Sequence, residues 1–229
     1  MTDGAGDDRP AGSWSGPADG TPLDARERSE LCDLFLVVGP DAPTLCEGWS
    51  TLDLAAHLVV REHDPRSGLA ILGGERFAKL ERSLMDNARS QGYRTLVERL
   101  RAGPPLLPWR LPMLRQVLNL TEWFVHHEDV RRPAGRPPRD DRPDLDATLW
   151  TMLRRASRLM LRKVRGAGVA LDAPGFGEVP ARGPGPSVRL AGGPQELTLY
   201  LSGRRSAALV DITGPDQARA IVESAPLGF

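Results

Sequence analysis

The chain has 229 residues, enough for two small domains, and its 40% hydrophobic residues can form an ordinary core. Its 30 basic and 30 acidic side chains cancel, which argues against a general nucleic-acid or anionic-membrane partner. The two cysteines, Cys32 and Cys46, form neither a Cys-x-x-Cys pair nor a disulfide framework. The N-terminal residues lack the apolar segment of a signal peptide, and no apolar run reaches the roughly 20 residues of a membrane span. We therefore expect a soluble, cytoplasmic protein.

The N-terminal part is predicted to be a helical bundle that follows a disordered tail. Residues 1–21 are rich in Gly, Asp, Pro and Ser and have almost nothing to bury. A first helix should run from Leu23 to Val38, where Gly39-Pro40 ends it. A second helix should open at Ser50, which forms a capping box with Asp53, and continue to Glu62. Apolar residues surround this second helix on nearly every side, so we expect it inside the bundle.

Two further long helices complete the predicted four-helix bundle, and a smaller α/β domain follows it. The third helix covers 90–101, the fourth 111–131, and a short helix at 75–86 lies in the long connection before them. The predicted organisation is a tail at 1–21, a bundle at 22–132, a linker at 133–143 and an α/β domain at 144–229. The last domain is predicted to contain helices at 145–164 and 216–223 and strands at 188–190, 197–201 and 207–212, with a strand-to-strand turn at 202–205.

The fourth helix carries polar residues where a buried helix should be apolar. Glu122 and His126 are four positions apart, so they project from one face, whereas His127 lies about 140° around the axis from Glu122. The second helix offers one polar side chain across its middle, His57. A solvated face and a hydrogen-bonded core histidine would explain these residues without a ligand. Together, however, two imidazoles and a carboxylate suit a catalytic zinc site, or one for Fe²⁺, Ni²⁺ or Mn²⁺.

Two segments carry a resemblance to a known family. Pro43–Trp49 with Asp53–Glu62, and the Glu122-x-x-x-His126 motif within Glu122–Arg132, resemble the DinB-like and mycothiol-dependent maleylpyruvate isomerase bundles. The segment Glu196–Arg204 is similar to the small α/β domain that accompanies the bundle in the isomerases. The resemblance implies that His57, Glu122 and His126 hold a divalent metal, usually zinc, and that mycothiol binds at its open position. It also implies that an Arg from the second domain holds an anionic substrate, and Arg204 is the best-placed candidate.

Two function hypotheses follow from these residues. The first is a mycothiol-dependent metalloenzyme, a thiol transferase or isomerase that acts on a small electrophilic substrate. The second is a metal-dependent binding or regulatory module without turnover. Cys46 bears on the choice, because it is either a structural cysteine or a fourth ligand that would close the site. In both hypotheses the partners are small molecules, with no nucleic acid or membrane, and the protein is a monomer or a homodimer.

Overall fold

The computed structural model describes residues 20–67, 75–104, 119–183 and 187–228, and of residues 75–78 only the backbone. Most of the predicted tail, and residues 111–118 of the predicted fourth helix, lie outside these ranges. Within them the chain is mainly α-helical and has a small four-stranded sheet near the C-terminus, which confirms the predicted fold class. No helix of the described ranges is long and apolar enough to cross a membrane.

The N-terminal part is a bundle of helices. Its described members are α1 (Leu23–Val38), α2 (Thr51–His63), α3 (Glu75–Arg89), α4 (Tyr93–Ala102) and α5 (Leu120–Arg131). Helix α1 packs against α4 and α5, and α2 packs against α3 and α4. The predicted bounds of α1 and α2 are confirmed almost to the residue, since local signals set them. Gly39 ends α1 with a φ of 81°, and the Ser50–Asp53 capping box is formed.

The bundle core is made of leucines and aromatic rings that the helices bury completely. Its fully buried members include Leu31, Phe35, Leu54, Leu58, Leu96, Leu100 and Trp123. Burial of each such side chain contributes about 1.5–3 kcal/mol. This core holds α1, α2 and α4 together, and Trp123 brings α5 into it.

The C-terminal part combines a mixed sheet with three helices. Its described elements are α6 (Pro143–Met160), β1 (Gly168–Ala173), β2 (Gly177–Arg182), β3 (Ser187–Ala191), α7 (Pro194–Leu201), β4 (Asp211–Thr213) and α8 (Asp216–Ser224). The strand order is β2-β1-β3-β4, with β1 and β3 parallel and the other two pairs antiparallel. A separate core lies under this sheet, and a third apolar cluster around Phe124 and Leu149 joins α5, α6 and α7.

The prediction of a strand at 197–201 is wrong, because these residues form the second half of α7. All eight residues of α7 are buried, so its alternating polar residues do not mark a solvent-exposed face, and the alternation does not predict a strand here. The predicted turn at 202–205 therefore follows a helix and leads into a 3₁₀ turn at Arg205–Ala207. Of the predicted strand at 207–212, only Asp211 and Ile212 lie in β4. Strands β1 and β2 were not predicted, although Pro174-Gly175 between them is a turn signal.

The predicted linker has no regular structure but is held firmly against the bundle. Residues 132–142 are irregular, and the next helix starts at Pro143 and ends at Met160, before the predicted Val164. Arg139 makes ion pairs with the fully buried carboxylates of Glu27 (2.7 Å) and Glu128 (3.0 Å), and Arg142 binds Glu30 at 3.0 Å. This segment therefore fixes how the chain passes from α5 to α6.

Candidate metal centre

The bundle brings together the three side chains that the sequence analysis singled out. His57 projects from α2, and Glu122 and His126 project from successive turns of α5. One ligand atom from each lies within 4.8 Å of the other two. The Nε2 atom of His126 is 3.2 Å from Oε1 of Glu122, and the His57 and His126 rings meet edge to face with centroids 5.6 Å apart. The cluster thus combines two imidazoles and one carboxylate from two facing helices.

The electrostatics of the cluster hold two of these groups in the form that binds metals. Burial, and after it the positive charge of His126, lowers the pKa of His57 to about 4, so its imidazole is neutral. Burial alone would raise the pKa of Glu122, but the hydrogen bond and charge of His126 lower it to about 2. Burial opposes the charged form of His126 as well, yet its hydrogen bonds with Asp129, Cys46 and Glu122 raise its pKa well above the ordinary value. A metal at this position would therefore replace a proton on His126.

Asp129 binds the ring nitrogen of His126 that does not face Glu122. Its Oδ2 atom accepts a hydrogen bond from Nδ1 of His126 at 2.8 Å, which leaves Nε2 directed toward Glu122. Burial would raise the pKa of Asp129, but the hydrogen bonds from His126 and Arg204 lower it to about 2. A carboxylate behind a histidine is the arrangement that fixes the ring and the tautomer of metal ligands.

Arg204 and Cys46 both contact Asp129. Arg204 donates to both oxygens of Asp129, from Nε at 2.9 Å and from Nη2 at 2.7 Å. The Sγ atom of Cys46 lies 3.2 Å from Oδ2 of Asp129 and 3.5 Å from Nη2 of Arg204. Cys46 thus contacts Asp129, which binds Nδ1 of His126, whereas Glu122 faces Nε2. Ligand atoms of Cys46, His126 and Asp129 also lie within 4.8 Å of one another. These contacts favour a supporting position for Cys46 over that of a fourth ligand.

Three residues that border the triplet were not predicted from the sequence. Asp129 follows His126 by three positions, and Arg61 follows His57 by four, so helical spacing alone places each beside its histidine. Arg61 Nε lies 3.5 Å from Oε1 of Glu122. Trp49 precedes α2, and its ring packs on that of His57 with a centroid distance of 5.1 Å. No spacing rule would have found Trp49.

Another cluster of possible ligands belongs to the ion-pair network described above. Nδ1 of His127 is 2.9 Å from Oε2 of Glu27, on the side of α5 away from Glu122, as the helical geometry predicts. Glu27, Glu30 and His127 also lie within 4.8 Å of one another. Arg139 and Arg142 already supply the positive charge that these carboxylates need. A metal would have to displace two guanidinium groups there.

The fold and this donor set define a class: a helical bundle with a small sheet-containing C-terminal part and a cluster of side chains that could hold a metal ion. Two solved structures share the fold, one of the mycothiol-dependent maleylpyruvate isomerase and one of a histidine-to-alanine mutant of it. The TM-scores are 0.57 and 0.59, and in each case the identity is 18% over 83% of this chain and 90% of that one. The chain therefore has the fold of that isomerase. No protein-family model matches the sequence, and no curated protein does either.

Proposed function

We propose that His57, Glu122 and His126 bind one divalent metal ion, zinc in the first place. The observation that carries this proposal is the convergence of the three donor atoms, with His57 neutral and Glu122 ionised. The donor set fits the metal chemically, because neutral imidazoles and a carboxylate are the ligands of catalytic zinc sites. Three protein ligands would leave one position of a tetrahedral ion open to a small molecule.

The function that this site supports best is that of a cytoplasmic, thiol-dependent metalloenzyme, an isomerase or transferase that uses mycothiol and a small electrophilic substrate. A divalent metal would supply the Lewis acidity that lowers the pKa of a thiol. The protein's part is to hold His126 through Asp129 and to surround the open position with polar groups. The support for mycothiol is the likeness to the isomerase structures.

We propose that Arg204 binds a substrate anion, although it already makes hydrogen bonds to other residues of the protein. Two of its nitrogens are bound to Asp129, and Nη1 donates to the carbonyl oxygen of Ser202 at 2.8 Å. Arg204 therefore acts mainly by orienting Asp129 and by adding positive charge beside the site. The polar groups around the triplet favour an enzyme over a binding module. A module whose metal ion is closed by four protein ligands would not need these groups.

Metal analysis tests the first part of the proposal. We expect about one ion per chain in the wild type and a large loss in His57→Ala and His126→Ala. The control is His127→Ala, which removes a neighbouring imidazole that faces Glu27. Equal metal content in all four proteins would refute the assignment.

Cobalt spectroscopy tests the second part. Addition of mycothiol to the cobalt-loaded protein should produce a thiolate-to-cobalt charge-transfer band if the metal has an open position. The band should also appear in Cys46→Ser, because Cys46 lies behind His126. If the thiol causes no change and Cys46→Ser loses its metal, the site is closed and the binding-module hypothesis stands instead.

A further inference from the structure

The C-terminal half of α6 carries a concentration of positive charge. Between Asp146 and Asp172 the sequence has six basic residues and no acidic one. All six are exposed, and they lie in the last two turns of α6 or within five residues of its end: Arg154, Arg155, Arg158, Arg162, Lys163 and Arg165. Within the described parts of the chain, none of their side chains makes a hydrogen bond or an ion pair. Together these six residues form the basic face.

The basic face lies opposite the side of α6 that packs into the protein. Because each residue turns the helix by about 100°, Arg154, Arg158 and Arg155 fall within an arc of about 100°. The buried side chains of Leu149 and Leu153 project from the other side of the same helix. Helix α6 is thus anchored by its apolar side, and its charged side faces outward.

The charges of the basic face repel one another, and the helix itself compensates only part of this repulsion. Arg154 and Arg158 are four positions apart, and like charges at this spacing destabilise a helix. The dipole of α6 stabilises cations in its last turn, which includes Arg158. Arg154 and Arg155 lie one turn earlier, where this effect has faded. An anionic partner would therefore stabilise the basic face by supplying the counter-charge that the described residues do not.

An exposed leucine distinguishes this surface from one that binds phosphate groups alone. Leu159 is 62% exposed and follows Arg155 by four positions, so it borders the basic face. An aliphatic side chain has no favourable contact with the backbone of a nucleic acid, and the basic face has no aromatic ring on which a base could stack. At a bilayer surface, by contrast, basic side chains bind the anionic headgroups while an apolar side chain enters the region beneath them. Leu159 therefore favours a lipid surface.

We propose that the basic face binds the surface of a membrane rich in anionic phospholipids, with Leu159 inserted between the headgroups. The inference goes beyond the proposed function and does not depend on the metal site. The zero net charge of the chain argued against an anionic membrane as a general partner. That sum is zero only because the rest of the chain has six more acidic than basic residues, so it does not describe this local surface. The contact would be peripheral and reversible, since it rests on one charged helix face and one leucine.

Sedimentation of the full chain with lipid vesicles tests the proposal. Vesicles of phosphatidylcholine are compared with vesicles of an equimolar mixture of phosphatidylcholine and phosphatidylglycerol. We expect the wild type to bind only the mixed vesicles and high salt to release it. The variant Arg154→Gln/Arg155→Gln/Arg158→Gln should lower the partition coefficient about 100-fold, because each basic side chain at an anionic surface contributes a factor of about five. Leu159→Ala should lower it about fivefold, through the loss of inserted apolar groups.

The matched control is Arg82→Gln/Arg94→Gln/Arg136→Gln, which removes three charges from exposed positions outside the basic face. It should bind the mixed vesicles as the wild type does. The proposal is overturned if the wild type does not prefer the mixed vesicles, or if the triple variant of the basic face and the control sediment alike. A labelled DNA duplex provides the comparison with nucleic acid. Tighter binding to the duplex than to mixed vesicles at equal phosphate concentration, unchanged by Leu159→Ala, would also overturn the proposal.

Discussion

Asp129→Asn should weaken metal binding without removing a ligand. Asp129 accepts a hydrogen bond from Nδ1 of His126 through one oxygen and makes a two-point contact with Arg204 through both. An asparagine of the same shape keeps a single acceptor oxygen and brings an NH₂ group that cannot accept from either partner. The His126 ring then loses its orienting anion, and Arg204 loses a buried counter-charge.

The expected loss of metal affinity follows from the position of Asp129, which orients a metal ligand but is not itself a ligand. Loss of a partner that orients a metal-bound histidine reduces metal affinity by about 10- to 100-fold. This range corresponds to about 1.4–2.7 kcal/mol of binding free energy. The loss should be smaller than in His126→Ala, which removes the ligand itself.

The assay is a competition titration of zinc against a chromophoric chelator, with folding checked by circular dichroism. The control variant is Asp33→Asn, which removes a carboxylate of α1 from an exposed ion pair with Arg101 of α4. We expect the control to bind zinc as tightly as the wild type. A folded Asp129→Asn protein whose zinc affinity is within twofold of the wild type would show that Asp129 does not support His126 as a ligand.

Three further predictions concern stability in the metal-free protein. Burial alone would raise the pKa of Glu27, but the His127 hydrogen bond and Arg139 lower it from 4.5 to about 2. The ionised Glu27 should therefore stabilise the fold by about 3 kcal/mol above pH 4.5, and this stabilisation should disappear as the pH falls toward 2. Urea titrations should show this acid-dependent loss in the wild type, and an equal loss in Glu27→Gln would count against the reasoning. Leu58→Ala empties a fully buried core position and should reduce the free energy of unfolding by about 2–5 kcal/mol; a change below 1 kcal/mol would contradict the packing. Gly214→Ala should destabilise by about 1–3 kcal/mol, because φ is 144° and the added Cβ would lie 2.8 Å from a backbone oxygen of β3. The control is Gly183→Ala, whose added Cβ meets no atom of the described residues within 4 Å.

The sequence determined the features that depend on neighbouring residues. A Gly-Pro pair ends α1, and a capping box begins α2. Both signals act within one turn of the helix end. The spacing of Glu122 and His126 places both on one face of α5, and the same rule directs His127 to the opposite side. Helix α7 shows where such signals fail: its sequence alternates like a strand, but tertiary contacts bury every residue and stabilise a helix.

Only the tertiary structure decided which distant residues meet around these local features. The residue types suggest His57 as a partner of Glu122 and His126, but only the packing of the bundle brings their ligand atoms within 4.8 Å. Cys46, Asp129 and Arg204 are separated by 83 and 75 residues along the chain, and no periodicity relates them. Their contact depends on how the C-terminal part docks against α5, where Arg132 pairs with Glu196 of α7 at 2.5 Å. The physical reason is that helix caps and helix faces are set by short-range hydrogen bonds and spacing, whereas a site between elements exists only once apolar packing has fixed the elements relative to each other.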